Sequence, residues 1–374
     1  MSFFSTPLNG LLSLFACLSS MIALGGAAEA ADAGKLWVYF AGDGVRQFEF
    51  NLGSGALKPL SVTQDSKPSF LAIHPSGDFL YGCGKTLSAF SIDAETGELK
   101  FINKQPYDKH GLCHLVVDKR GKNVLSAGYG SGSVVVRQIN DDGSLGDETA
   151  LVKHEGSSVN EKRQKAPHAH SINLDAENNY AFAADLGTDE VIVYKFDAAN
   201  GTIKPATPAK VAPGAGPRHF AFHPNGKFAY VINELDSTMG TFSYDASTGR
   251  LETIDTQTTL PATFEGENST AEVVVHPSGK FLYGSNRGHH SIAVFKIDPK
   301  TGKPTAIDHT LTGGEWPRNF CVDPTGQFLL AANQRSDNVV VFRIDKKTGK
   351  LSATGHVIEV PGPNCVRFLR PKTS

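Results

Sequence analysis

Cysteine is scarce in this 374-residue chain: there are five, and none stands in a CxxC or CxxH spacing, which argues against a cysteine-built zinc site. Neither sign of charge is in excess. Thirty-six Lys and Arg meet 38 Asp and Glu, mixed along the chain for a net −2. No basic stripe exists, so nucleic acid is a poor partner. The longest leader-like apolar run, Leu11 to Ile22, falls short of the ~20 residues that span a bilayer, which argues against a membrane anchor. There is no G-x-S-x-G and no Cys–His signature of a covalent nucleophile. No stretch of the mature chain has helical periodicity, and no composition shift marks a domain boundary.

What is present begins with a leader. Ala23 to Ala30 is small and Gly/Ala-rich, and Ala28-Glu29-Ala30 offers a cleavage site, so residues 1–30 read as a signal peptide. Its n-region carries no Lys or Arg, a departure from the usual pattern. The expectation is a periplasmic or secreted protein, with 31–374 a single domain, or a cytoplasmic one if the leader stays on. Cys17 leaves with the leader, and Leu14-Phe15-Ala16-Cys17 is a poor lipobox. Cys83, Cys113, Cys321 and Cys365 remain. Export would permit two disulfides, but each lies in an apolar β run and is expected to pack as a small hydrophobe.

The body of the chain is a repeat of roughly fifty residues. PSFLAIHPSGDFLYGCG from Pro68, PRHFAFHPNGKFAYVIN from Pro217, AEVVVHPSGKFLYGSN from Ala271 and PRNFCVDPTGQFLLAAN from Pro317 are its clear copies. Weaker ones start at Leu112 and Pro167. Each is followed by a second hairpin, such as IAVFKIDPKTGKP. In HPSG and HPNG, Pro presets φ and Gly accepts φ > 0, which makes a tight turn. The flanking runs are β-branched and aromatic. One repeat is thus four antiparallel strands, and such units stack radially. Six copies fit between Ser66 and Val360. Lys35 to Leu57 and Pro363 to Leu369 are half-copies that complete a seventh unit shared by both termini. The predicted fold is all-β, a seven-bladed β-propeller closed by N- and C-terminal strands in one blade. The polar stretch His154 to Lys165 reads as an insertion between two blades.

In such a ring, the start of a first strand and the end of a second share one mouth, and the HPxG turns lie opposite. Aligned on the turn Gly, the mouth positions are dense in Arg, His, Glu and Asn. His74, His223 and His276 fall in the far turns and are expected to be structural. Asn233, Asn286 and Asn333 recur at one position and are expected to make a repeated hydrogen bond, although Asn286 and Asn333 also stand among the candidate binding residues. Arg218, Glu234, Arg287, His170 and His219 differ between blades at equivalent positions and are the catalytic candidates. His168, His114, Glu272 and Arg318 are the further binding candidates.

These motifs resemble the lactonase propellers, the group of 6-phosphogluconolactonases and carboxymuconate cyclases. The matching segments are Pro167-His168-Ala169-His170-Ser171, Gly216-Pro217-Arg218-His219 with Asn233-Glu234, and Ser285-Asn286-Arg287-Gly288. The resemblance covers the mature chain and implies that the family's site falls on Arg218, Glu234, Arg287 and a His of the His168/His170 motif. It implies hydrolysis of a sugar lactone, possibly a phosphorylated one. The chain is expected to act as a monomer on a small-molecule lactone or carboxylate, without cofactor or metal. Glu234 is expected as general base, Arg218 and Arg287 as oxyanion ligands, and His170 or His219 as proton donor. Open alternatives are a muconate-type lactonizing cyclase, a non-catalytic propeller that binds a ligand or protein, and a calcium site from Glu234, Asn286, Asp185 and Asn233. Phosphorylated sugar lactones are cytoplasmic metabolites, which an exported protein would not meet.

Overall fold

The His-Pro-x-Gly segments fold as tight turns in which Gly77, Gly226 and Gly279 take φ of 77°, 67° and 69°. Glycine suits all three, and Gly279 is required twice over. Its conformation is left-handed, and a Cβ on Gly279 would lie 2.7 Å from the ring of His223 in the preceding blade. That close approach is a bond: His223 Nε2 meets the Gly279 carbonyl at 2.8 Å, His74 meets Gly121 at 2.9 Å and His276 meets Gly326 at 2.9 Å. The turn histidines therefore staple blades 1, 4 and 5 each to the following blade, in keeping with a structural role.

The computed structural model describes residues 34–107 and 110–372, all strand, turn or loop. The expected leader lies outside the described residues. Seven sheets form, six of four strands and one with a short fifth. In blade 4 the inner, second, third and outer strands are Pro217–Phe222, Phe228–Asn233, Thr238–Asp245 and Arg250–Thr258. Blades 1, 2, 3, 5 and 6 begin at Phe70, Leu112, Ala169, Thr270 and Pro317. Blade 7 has its inner strand, Cys365–Leu369, from the C-terminus, and its other three, Lys35–Gly42, Gly44–Asn51 and Leu57–Thr63, from the N-terminus. Each inner strand neighbours the next, and that of blade 7 neighbours that of blade 1, so the ring closes. Closure through paired termini removes the free edge that an open array would expose.

The core lies between blades. Phe182, Val191 and Val193 of blade 3 pack with Phe220, Val231 and Phe242 of blade 4, and Tyr230, Ile232 and Met239 of blade 4 pack with Val273, Leu282 and Phe295 of blade 5. Neighbouring sheets thus bury each other's faces, which no blade could do alone. A second staple explains the recurrent Tyr of the second strand. Tyr81, Tyr230 and Tyr283 donate to the turn carbonyls of Gly143, Gly302 and Gly349 in the following blade at 2.8–2.9 Å. Tyr39 of blade 7 donates to Gly97 of blade 1 at 2.7 Å and so stitches the closure. The four cysteines Cys83, Cys113, Cys321 and Cys365 are free thiols.

Tyr283→Phe leaves the buried Gly349 carbonyl without its donor. It is expected to cost about 1–3 kcal/mol in urea unfolding while leaving ligand binding at the axis unchanged. An unaltered unfolding midpoint would remove the staple from the account.

Candidate active site

One backbone bond sets the repeat register at the mouth. The N–H of the residue after the second strand donates to the carbonyl before the inner strand: Tyr129 to Gly111, Leu186 to His168, Glu234 to Gly216, Arg287 to Ser269 and Gln334 to Trp316, at 2.7–3.1 Å. Just inside this rung the pairing slips in all five blades, between residues 112 and 114, 169 and 171, 217 and 219, 270 and 273, and 317 and 319. A β-bulge leaves its residue out of the ladder and re-aims the side chain. The bulged residues include Cys113, His170, Arg218 and Arg318, and all four line one axial gap of about 10 Å³ with Ser69 and Asn364. His170 therefore shares the repeat position of Arg218, and His168 stands one level nearer the mouth.

Glu234 is the centre of the site. Its Oε2 accepts from Arg218 Nε and pairs with Arg287 Nη2, both at 2.9 Å, and its Oε1 accepts from Arg163 Nη2 at 2.7 Å. Burial pushes the carboxyl pKa up, but Arg287, Arg218 and Arg163 outweigh it and hold the group down at about 2. Each arginine has a second anchor. Arg218 Nη1 donates to the Ala271 carbonyl at 2.7 Å, Arg287 Nη2 to the Thr270 carbonyl at 2.8 Å, and Arg163 Nη2 to the Tyr129 hydroxyl at 3.1 Å. Burial, then Arg218, lowers Arg287 to about 9, and the same two causes lower Arg318 to about 10. Arg318 has no hydrogen bond or ion pair to protein among the described residues, so its guanidinium is free to take an anion.

Arg163 comes from the polar insertion. The segment joins the outer strand of blade 2, which ends at Lys153, to the inner strand of blade 3, which starts at Ala169, and so must cross the mouth. It is tied down at both ends. His154 is buried, with Nδ1 on Asp185 and Nε2 on the Tyr194 hydroxyl, each at 2.5 Å. Gln164 donates to Leu186 O and Asp189 Oδ1 at 2.9 and 2.8 Å. Sequence reasoning set this loop aside as an insertion and passed over Tyr129. The signal for both was present, because blade connectors run over the mouth and Tyr129 follows a second strand that ends there.

The histidines form a column with aromatic neighbours. His168 stacks on Tyr129 with centroids 4.4 Å apart, Tyr129 meets His170 at 5.3 Å, His170 meets His219 at 5.4 Å, His219 meets His114 at 5.1 Å, and His114 meets Phe70 at 4.1 Å. Burial drives His170, His219 and His114 well below the usual imidazole range, with Arg218 adding for the first two and His219 for the third. They are neutral at pH 7. His168 differs: it is half-buried, and its Nδ1 donates to the Tyr129 carbonyl at 2.9 Å. A carbonyl only accepts, so Nδ1 carries a proton, and in the neutral ring Nε2 is the nitrogen with the lone pair.

Deeper on the axis, a cavity of about 230 Å³ is lined by residues of all seven inner strands, including His114, His219, Glu272 and Arg367. Glu272 there accepts from His219 Nδ1 at 2.9 Å, from the Val273 N–H at 3.0 Å and from Asn319 Nδ2. Larger hollows lie on the flanks, such as one of about 640 Å³ lined by Lys119, Lys195 and Lys204, away from this cluster of buried ionisable groups.

The geometry revises several expectations. Asn286 and Asn333 are fully buried, and their amides are taken up by protein: Asn286 donates to the carbonyl of Thr259, just past the outer strand of blade 4, at 2.8 Å, and Asn333 to Asn338 Oδ1 at 2.9 Å. They do not face a ligand. Of the oxygens considered for calcium, those of Glu234 hold three arginines, and those of Asp185 hold His154 and the N–H groups of His168, Gly187 and Thr188. Burial lifts the Cys113 thiol to about 12, in keeping with its expected packing as a small hydrophobe. Glu234, saturated and strongly acidic, is poorly suited to serve as the base.

The family model described as "Lactonase, 7-bladed beta-propeller" matches residues 38–368. A 6-phosphogluconolactonase of Bacillus subtilis is 36% identical over 333 residues, 87% of this chain and 95% of that one. One of Formosa agariphila is 37% identical over 293 residues, 75% and 82% of the two chains. Among solved structures, the Pseudomonas aeruginosa periplasmic gluconolactonase superposes with a TM-score of 0.85 at 28% identity, covering 91% of this chain and all of that one.

The cluster makes a prediction about acid. In the unfolded chain a Glu takes up its proton near pH ~4.3, whereas folded Glu234 stays charged down to about 2. Its contribution is therefore full above that range and is lost as pH falls towards 2. Glu234→Gln leaves guanidiniums buried without their counter-charge and is expected to lower stability by about 3–5 kcal/mol at pH 7. The difference from wild type should shrink between pH ~4.5 and ~2, as read by urea titrations across that range.

Proposed function

The chain belongs to the lactonase family of seven-bladed β-propellers, and from that premise we propose that it hydrolyses a sugar lactone at the axial mouth, with His168 as general base. Its curated relatives named 6-phosphogluconolactonase support a lactone hydrolase. What carries the assignment of roles is one contrast. Both oxygens of Glu234 are committed to arginines, while Nε2 of His168, half-exposed at the rim, has no hydrogen bond to protein among the described residues.

Water attacks the lactone carbonyl carbon, and His168 Nε2 takes its proton. The carbonyl π electrons move to oxygen, and the oxyanion is held by Arg287 and Arg218, whose planar forks suit it. Collapse of the tetrahedral intermediate breaks the ring C–O bond. The proton on His168 Nε2 passes to the departing alkoxide, which leaves a hydroxy acid and the base restored. Arg318 receives a carboxylate or another anionic substituent. The axial gap of about 10 Å³ has room for about one water, so the sugar sits at the rim, against His168 and Arg163, and not within the channel. His170 and His219 remain neutral and supply hydrogen bonds beneath it.

An exported chain would meet plain sugar lactones, so the test spans plain and phosphorylated ones. In pH-stat assays, His168→Gln is expected to lower kcat/KM at least ~100-fold, with folding retained. Arg318→Gln should raise KM more for anionic lactones than for neutral ones. Full activity of His168→Gln would return the base to another residue, and a wild type that opens no lactone would favour the cyclase or binding readings.

A further inference from the structure

Trp316 occupies a place that blades 2 and 4 give to glycine and that blades 3 and 5 give to His168 and Ser269, neither of which is left-handed. The shared backbone rung makes it the counterpart of Gly111 in blade 2 and Gly216 in blade 4. All three are left-handed, with φ of 56° at Gly111, 68° at Gly216 and 64° at Trp316. For a bulky residue this conformation is sterically costly. Blades 2 and 4 form the same rung without a side chain there, so the fold does not call for the indole. Strain retained where glycine would relieve it points to what the side chain touches.

It touches two arginines. The Arg335 guanidinium carbon lies 3.5 Å from the ring centroid, and that of Arg287 lies at 5.1 Å. Arg287 needs such a neighbour. Its Nη2 is held by Glu234 and the Thr270 carbonyl, but its Nε is buried with no hydrogen-bond partner. It also shares the site with the like charges of Arg218 and Arg318. The negative face of an indole steadies a guanidinium in that position, so Arg287 is held by Glu234 and by the Trp316 ring.

We propose that Trp316 is a positioning residue for lactone hydrolysis, acting through Arg287 by holding that guanidinium against Glu234. This rests on the lactone-hydrolase reading above. Because the indole acts on an arginine that binds the oxyanion, its loss falls on the chemical step more than on substrate binding.

The test uses the full chain and the lactone that wild type turns over fastest. Trp316→Gly introduces the residue of blades 2 and 4 and relieves the left-handed strain, so the thermal midpoint should stay level or rise, while kcat falls about tenfold or more and KM moves less than about threefold. Trp316→Phe, which keeps an aromatic face, should recover most of kcat. In an Arg287→Ala background, Trp316→Gly should have no further effect on kcat, because the two act as one unit. Unchanged kcat in Trp316→Gly, or an undiminished effect in the Arg287→Ala background, would overturn the proposal. A purely structural Trp316 would instead lower the thermal midpoint. A readout independent of turnover separates this from failure of the lactonase reading: in a Trp37→Phe protein, where Trp316 is the remaining tryptophan, Arg287→Ala should shift the fluorescence emission, and no shift would show that the contact is absent.

Discussion

One carboxylate organises the axis of this propeller. Arg163, Arg218 and Arg287 carry three positive charges into a poorly hydrated site, and like charges in that setting repel strongly. Glu234 makes their proximity tolerable by offering one oxygen to Arg163 and the other to the remaining pair. Without it the guanidiniums would repel one another towards solvent, and the cluster would be lost. The same pairing fixes its character: a carboxylate held near pKa 2 is a permanent anion and a weak proton acceptor.

The fold brings those groups together by repetition with variation. One four-stranded plan recurs around the ring, and at blades 1, 4 and 5 both the turn His and the second-strand Tyr bond to the next blade. Every inner strand from blade 2 to blade 6 slips at the same place beside the axis. The backbone so provides equivalent sockets, and the side chains placed in them, Cys113, His170, Arg218 and Arg318, are where the blades differ. A rigid, stapled ring is a sound support for such a cluster, because small displacements of an oxyanion ligand are costly in rate.

Most of the architecture was legible because it is periodic. The HPxG and TG turns, the alternating strands and the half-copies at each end were sufficient to expect seven blades and their shared closure. Superposing repeats also isolated Arg218, Glu234 and Arg287, which meet in the structure. Roles were harder to read, since residue type does not reveal partners. Glu234 looked like a base until its three arginines were in view. Arg163 was missed because it lies in a connector without a repeat counterpart, and Trp316 because its peculiarity is a backbone angle. Asn286 and Asn333 show the reverse case, in which a recurring position signalled structure correctly while their polarity also invited a binding role.

The account turns on Glu234 as a fixed anion that organises arginines, which the pH dependence of kcat/KM tests most directly. Wild type and Glu234→Gln should be compared on one neutral lactone from about pH 4 to 9, the span in which catalytic acids and bases ordinarily titrate. The account predicts a lower rate for Glu234→Gln at every pH, with a profile of unchanged shape, because Glu234 does not change protonation in that span. An acid limb present in wild type and abolished by Glu234→Gln would show that this carboxylate carries the proton, and would contradict the account.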